Sequence, residues 1–229
     1  MSTPVEDRAE WARVVVDRLE AEYPDSTISL HFSDRLELLI AVMLSAQCTD
    51  ERVNAVTADL FEKYDDPADY LAVSQEELAS DIDSITYYNN KAGYIQGSCE
   101  RIIEEHDGNV PDTMDELTEL PGVGRKTANV VLQHGHDVVE GIVVDTHVKR
   151  ITRRLGLTDQ TTPEAIERDL MALLPEEDWQ AFTHLMIDHG RAVCTARSPT
   201  CENCVLADRC PSSRLDAEVD LASGDPWES

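Results

Sequence analysis

Four of the chain's six cysteines fall within seventeen residues, as Cys194-x6-Cys201-x2-Cys204-x5-Cys210. The stretch has little apolar content, so core packing does not account for it. Thiols this dense are joined as disulfides or bound to a metal. The N-terminus, MSTPVEDRAEW, lacks the cationic start and apolar run of an export signal, which argues against disulfides and for a cytoplasmic protein. Structural zinc sites usually present two Cys-x2-Cys pairs across a longer loop, and here only one close pair exists. A single 4Fe-4S cluster on Cys194, Cys201, Cys204 and Cys210 suits the compact loop better. Arg191, Arg197 and Arg209 interleave with these thiols and can either offset the cluster's charge or face a phosphate. Cys48 and Cys99 lie at helical spacing on apolar faces and are expected to be small buried hydrophobes.

The rest of the 229 residues reads as helix. Trp11, Val14, Val15 and Leu19 share one face of a helix over 7–23 that stops at Pro24. Ser33 or Asp34 can cap an apolar helix from Leu36 to Ala46, and Thr49 or Asp50 precedes another running to Phe61. Further helices are expected over 75–82, 90–106, 114–120 and 126–133. Thr162-Pro163-Glu164 is a start signal for one ending before Pro175. The next, from Glu177, is expected to close at Gly190. Only Val138–Val144 has a strand-like pattern. The fold class is all-α. The tail over 215–229, with five acids, no base and a Gly-Asp-Pro turn, is expected to be disordered. The longest apolar stretch, around Leu38–Leu44, is far short of the ~20 residues of a membrane span.

Lys and Arg total 19 against 46 Asp and Glu, a formal net charge of −27, and only four of the bases are Lys. Such a surface is expected of a halophile's protein, because at 1 M ionic strength the Debye length is about 3 Å and self-repulsion is screened. The charge is uneven. Residues 121–154 carry six basic and three acidic residues, and 185–214 carry four and three. Two basic islands in an acidic chain point to an anionic partner that touches those surfaces alone.

The first island opens with a distinctive turn, Leu117–Ala128, LTELPGVGRKTA. A helix ends near Leu120, Pro121 and two glycines make the turn, and a new helix begins near Arg125. Gly122 and Gly124 permit positive φ and close backbone approach. The N–H groups of such a turn, joined to a helix N-terminus, form a nest for an anion, and a DNA phosphate is its natural guest.

This segment resembles the helix-hairpin-helix motif of the endonuclease III family of DNA glycosylases. The resemblance extends to LSAQCTD (Leu44–Asp50), YNNKA (Tyr88–Ala92), VDTHVKR (Val144–Arg150) and the cysteine spacing, and spans roughly Leu36–Cys210. It implies a helix-hairpin-helix DNA glycosylase fold: a helical barrel domain over 28–138, an iron–sulfur domain from 1–27 plus 139–214, and a cleft into which the target nucleotide is flipped. It implies a bifunctional DNA glycosylase and AP lyase of base excision repair. Such an enzyme would act as a monomer on double-stranded DNA carrying oxidised pyrimidines or abasic sites.

In that reading Lys126 is the nucleophile. An amine attacking the sugar C1′ must be uncharged, and the first turn of a helix beside Arg125 works against the ammonium form. The resulting Schiff base permits β-elimination. Asp145 is the matching carboxylate, steadying positive charge on the sugar and moving protons; it is also a good helix N-cap. Gln47 resembles the residue that fills the gap left by the flipped base. Thr86 and Tyr87 stand where the family often has an aliphatic wedge beside a glycine, so Tyr87 is expected to stack between bases. Gly122, Val123, Gly124, Arg125, Lys149 and Arg150 are expected to meet the DNA backbone, with Arg153 and Arg154 beside them. His134, His136, His184 and His189 are read as ordinary polar or packing residues. An adenine-mismatch glycosylase of the same superfamily would lack Lys126 and carry a further domain after the cluster, and a non-catalytic DNA-holding module would need neither Lys126 nor Asp145.

Overall fold

A computed structural model describes residues 5–215. Those residues form α1 (Val5–Glu22), α2 (Arg35–Ser45), α3 (Asp50–Lys63), α4 (Pro67–Leu71), α5 (Gln75–Asp81), α6 (Tyr88–Glu105), α7 (Met114–Glu119), α8 (Arg125–Gly135), α9 (Thr146–Arg154), α10 (Pro163–Leu173) and α11 (Trp179–Ala192), with 3-10 turns at Glu176–Asp178 and Cys201–Asn203. The all-α expectation holds among the described residues. The acidic tail, but for Leu215, lies outside them.

The described residues divide into two compact units, Ser29–Glu140 and the remainder. The Ser29–Glu140 unit is built around α2. Leu36 and the whole run Leu38–Leu44 are buried, and a helix apolar on every side must be surrounded; α3, α6 and α8 do so. Asp34 caps α2 by accepting from the Glu37 N–H at 2.9 Å. Arg35 Nε donates to the Gly135 carbonyl at 2.7 Å, which ties the start of α2 to the end of α8. The sequence reading missed α4, because five residues are too few to show a helical period. Its signal was local: Asp66 and Asp69 form a capping box around Pro67.

In the other unit, α1 supplies Trp11, Val15 and Leu19 to a core shared with Val148 and Ile151 of α9, Leu170 of α10 and Phe182 of α11. Trp11 Nε1 donates to the Leu155 carbonyl at 2.8 Å, satisfying the indole inside that core. Two expectations are corrected here. The strand-like segment is no strand: Ile142 and Val143 are buried pegs, and the Val143 carbonyl accepts from Thr183 Oγ1 at 3.4 Å. Gly190 does not close its helix, which runs on to Ala192. A Cβ at Gly190 would lie 2.9 Å from Arg150 Nη2 and nearer still to His147 Nδ1. The glycine is there so that α9 can lie against the backbone of α11.

Candidate functional site

The hairpin of the Ser29–Glu140 unit is held against α6. Ser98 Oγ donates to the Pro121 carbonyl at 3.0 Å, and Val123 N–H donates to the Leu120 carbonyl at 3.1 Å. The two hairpin glycines play different parts. Gly122 has φ +77°, a conformation that glycine alone takes freely. Gly124, expected to be similar, is extended (φ −92°, ψ 170°) and is the N-cap of α8. A Cβ there would meet nothing within 4 Å, and no side chain caps the helix. The N-terminal N–H groups of α8 are therefore presented bare, beside exposed Arg125 and Lys126. Among the described residues the lysine ion pairs are those of Lys63 with Glu77 and Asp81; Lys126 has none.

Gln47, Tyr87 and Gly122 come together on a recess of about 330 Å³, with Lys91 and Tyr94 also on its wall. Gln47 and Tyr87 both hold left-handed backbone, at φ 56° and 59°. Such backbone costs a non-glycine residue on the order of 1–3 kcal/mol and persists only where the surrounding structure holds it. Tyr87 is 62% exposed, a large ring standing in solvent at the start of α6. Sequence reasoning passed over Lys91, although a lone lysine on the buried face of α6, next to Ala92 and Ile95, was visible in the pattern. Its ammonium donates to the Leu44 and Ala46 carbonyls at 2.8 and 2.6 Å. Cys48, expected inside, is only half-buried.

In the other unit, Asp145 is the N-cap of α9, its Oδ1 accepting from the Val148 N–H at 2.8 Å. Lys149 and Arg150 follow on the first turns, both half-buried. Arg150 Nη2 donates to the Cys194 carbonyl at 3.1 Å and the Gly190 carbonyl at 3.3 Å. Arg154, expected at the DNA backbone, is 5% exposed. Its two terminal nitrogens donate to the Thr195 and Ala196 carbonyls at 2.7 and 2.8 Å, and Nη1 lies 3.5 Å from Cys194 Sγ. The guanidinium staples the cysteine loop to α9 and is not available to a phosphate.

Cys194, Cys201, Cys204 and Cys210 line one cavity of about 300 Å³, and all four are free thiols. Among the described residues no three donors converge as a single metal ion requires. A 4Fe-4S cluster spreads its four thiolates around a larger body and fits this cavity. Burial pushes the Cys210 thiol up to about 11 and raises Cys204 as well, so these two thiols hold their protons until a metal displaces them. His189, read as an ordinary polar or packing residue, touches this centre. Its Nε2 lies 3.5 Å from Cys204 Sγ and its Nδ1 3.2 Å from the Tyr23 hydroxyl. Burial lowers its pKa to about 4, so the ring is neutral. Its place five residues before Cys194, on the helix leading into the loop, was the signal.

Residues 40–176 match the HhH-GPD superfamily base excision DNA repair protein family, and residues 194–210 match the iron-sulfur binding domain of endonuclease III. The chain is 52% identical to the endonuclease III of Synechocystis over 86% of its own length and 90% of that protein's. It is 47% identical to that of Bacillus subtilis over 85% and 89%. A solved structure of a trapped endonuclease III–DNA covalent intermediate superposes with a TM-score of 0.86 at 46% identity, covering 90% of this chain and 97% of the other. The helices, the cysteine cavity and these likenesses lead to one conclusion: this chain belongs to the endonuclease III family of base excision DNA repair enzymes.

Proposed function

We propose that this chain excises oxidised pyrimidines from double-stranded DNA through a Schiff base on Lys126, with Asp145 as the assisting carboxylate. Glycosylase and AP lyase activity comes with the family; the lesion class and the residue roles are the proposal. The observation that carries it is the bare N-terminus of α8, where Gly124 leaves room for a phosphate and exposed Lys126 sits in the first turn. A phosphate held there brings the adjoining sugar to the amine.

The amine adds to C1′ as the bond to the damaged base breaks and the base departs. Opening of the sugar gives a Schiff base, which acidifies the C2′ proton, and loss of that proton expels the 3′ phosphate. Asp145 steadies the positive charge that develops on the sugar and accepts protons in turn. Gln47 fills the gap in the duplex, Tyr87 stacks beside it, and Gly122, Val123, Gly124, Arg125, Lys149 and Arg150 meet the backbone. The four cysteines hold the 4Fe-4S cluster, which shapes the loop over residues 194–210. A loop of four cysteines kept reduced for iron supports a cytoplasmic site of action.

The acid-rich composition supports work in concentrated salt, where phosphate pairing contributes little and nest hydrogen bonds, stacking and base burial carry the affinity. Borohydride trapping on an oxidised-pyrimidine duplex in high KCl tests the core of the proposal. The native protein becomes covalently linked to DNA and Lys126→Ala does not; trapping of Lys126→Ala at the native yield overturns it.

A further inference from the structure

Lys91 is 6% exposed, and among the described residues it makes no ion pair with a carboxylate. Its hydrogen-bond partners are the Leu44 carbonyl, in the last turn of α2, and the carbonyl of the C-cap Ala46. Burying an ammonium against neutral acceptors costs more than burying a methionine of similar size, and burial accordingly lowers this lysine's pKa from its usual value. What offsets the cost is the end of α2, whose unpaired carbonyls carry partial negative charge. Both carbonyls are thereby drawn toward α6. At Ala46 the chain leaves the helix (ψ 113°), and Gln47 follows at φ 56°, exposed on the recess it shares with Tyr87.

We infer that Lys91 is a positioning residue for Gln47: by holding the two carbonyls at the end of α2 it fixes the turn that presents the Gln47 side chain to the base opposite the lesion. The inference rests on the gap-filling role proposed for Gln47. A lysine here is a donor with two acceptors to satisfy; an apolar side chain would fill the space and leave Leu44 and Ala46 to find other partners, and the left-handed turn would lose its hold.

A double-mutant cycle tests it. Native protein, Gln47→Ala, Lys91→Met and the double variant are compared in single-turnover excision of an oxidised pyrimidine from a duplex carrying 2-aminopurine opposite the lesion. Gln47→Ala and Lys91→Met should each slow excision about 10- to 100-fold. Both should change the 2-aminopurine fluorescence in the same sense. The double variant should be no slower than the worse single by more than about twofold, because one interaction is lost twice. Lys91→Arg, which keeps charge and donors, should restore most of the rate. If Lys91→Met does not fold, Lys91→Gln, which keeps a donor without the charge, replaces it in the cycle. Multiplicative effects in the double variant, or a Lys91 variant at the native rate beside a slowed Gln47→Ala, overturn the inference alone. Gln47→Ala at the native rate overturns the role of Gln47 and this inference with it.

Discussion

The ring of Tyr94 occupies the space that any side chain at Gly122 would need: a Cβ built there lies 2.7 Å from two of its ring carbons. The hairpin is thus closed against α6 by an absence at 122, whereas the absence at Gly124 faces open space. Gly122→Ala should destabilise the protein by about 2–4 kcal/mol, from the positive φ and the overpacking together. Gly124→Ala should stay within about 0.5 kcal/mol of native stability yet weaken DNA binding about tenfold, since its methyl would stand in the path of the phosphate proposed to meet the α8 N–H groups. Urea melts and fluorescence anisotropy on the same two variants check the pair. Equal losses of affinity with unchanged stability would show that neither glycine is structural.

Asp145 caps α9, and substitution can separate that role from the catalytic one proposed for it. Asn caps helices as well as Asp does, so Asp145→Asn should keep the bond to Val148 N–H and melt within about 0.5 kcal/mol of native, while excision falls at least about 100-fold for want of a carboxylate. Asp145→Ala should lose the cap as well and cost about 1 kcal/mol. A fully active Asp145→Asn would reduce the residue to its capping role.

Lys149 and Arg154 sit on one short helix and should answer differently to loss of charge. Lys149→Met should lower the salt slope of DNA binding by about one counterion and leave stability unchanged. Arg154→Met orphans the Thr195 and Ala196 carbonyls, so it should lower the melting temperature and the iron content of the purified protein while leaving the salt slope alone. A change of slope in Arg154→Met would place its guanidinium at the DNA.

Arg154 also shows where the sequence stops being legible. Long helices could be read from apolar spacing, and caps at Asp34, Thr49 and Asp145 from residue type, because both signals are local. The four thiols announced themselves by density. Whether an arginine turns outward to a phosphate or inward to a carbonyl depends on helix rotation and on a loop some 40 residues away, which no local pattern encodes. The same holds for Lys91, whose acceptors are 45 and 47 residues distant. Gly124 is the reverse case: the residue was recognised, but for a left-handed conformation that, of the two hairpin glycines, Gly122 alone adopts.

Cys99 offers a pH test away from the reacting residues. It is buried on α6, and burial first, with the charge of Asp66 second, pushes its thiol up to about 12. The unfolded chain loses the same proton near pH 8.5. The folded state therefore holds the proton through a window in which the unfolded state does not. The stability this contributes is complete below about pH 8.5 and is lost as pH rises toward 12, at up to about 1.4 kcal/mol per pH unit. Urea unfolding of native protein and Cys99→Ala should show the two stability curves converging between pH 8.5 and 10.5, with native losing up to about 2–3 kcal/mol more than the variant. In the same range, alkylation of native protein followed by peptide mapping should label half-buried Cys48 well before Cys99. Parallel stability curves would mean that the Cys99 thiol titrates alike in both states, and that α6 opens often enough for water to reach it.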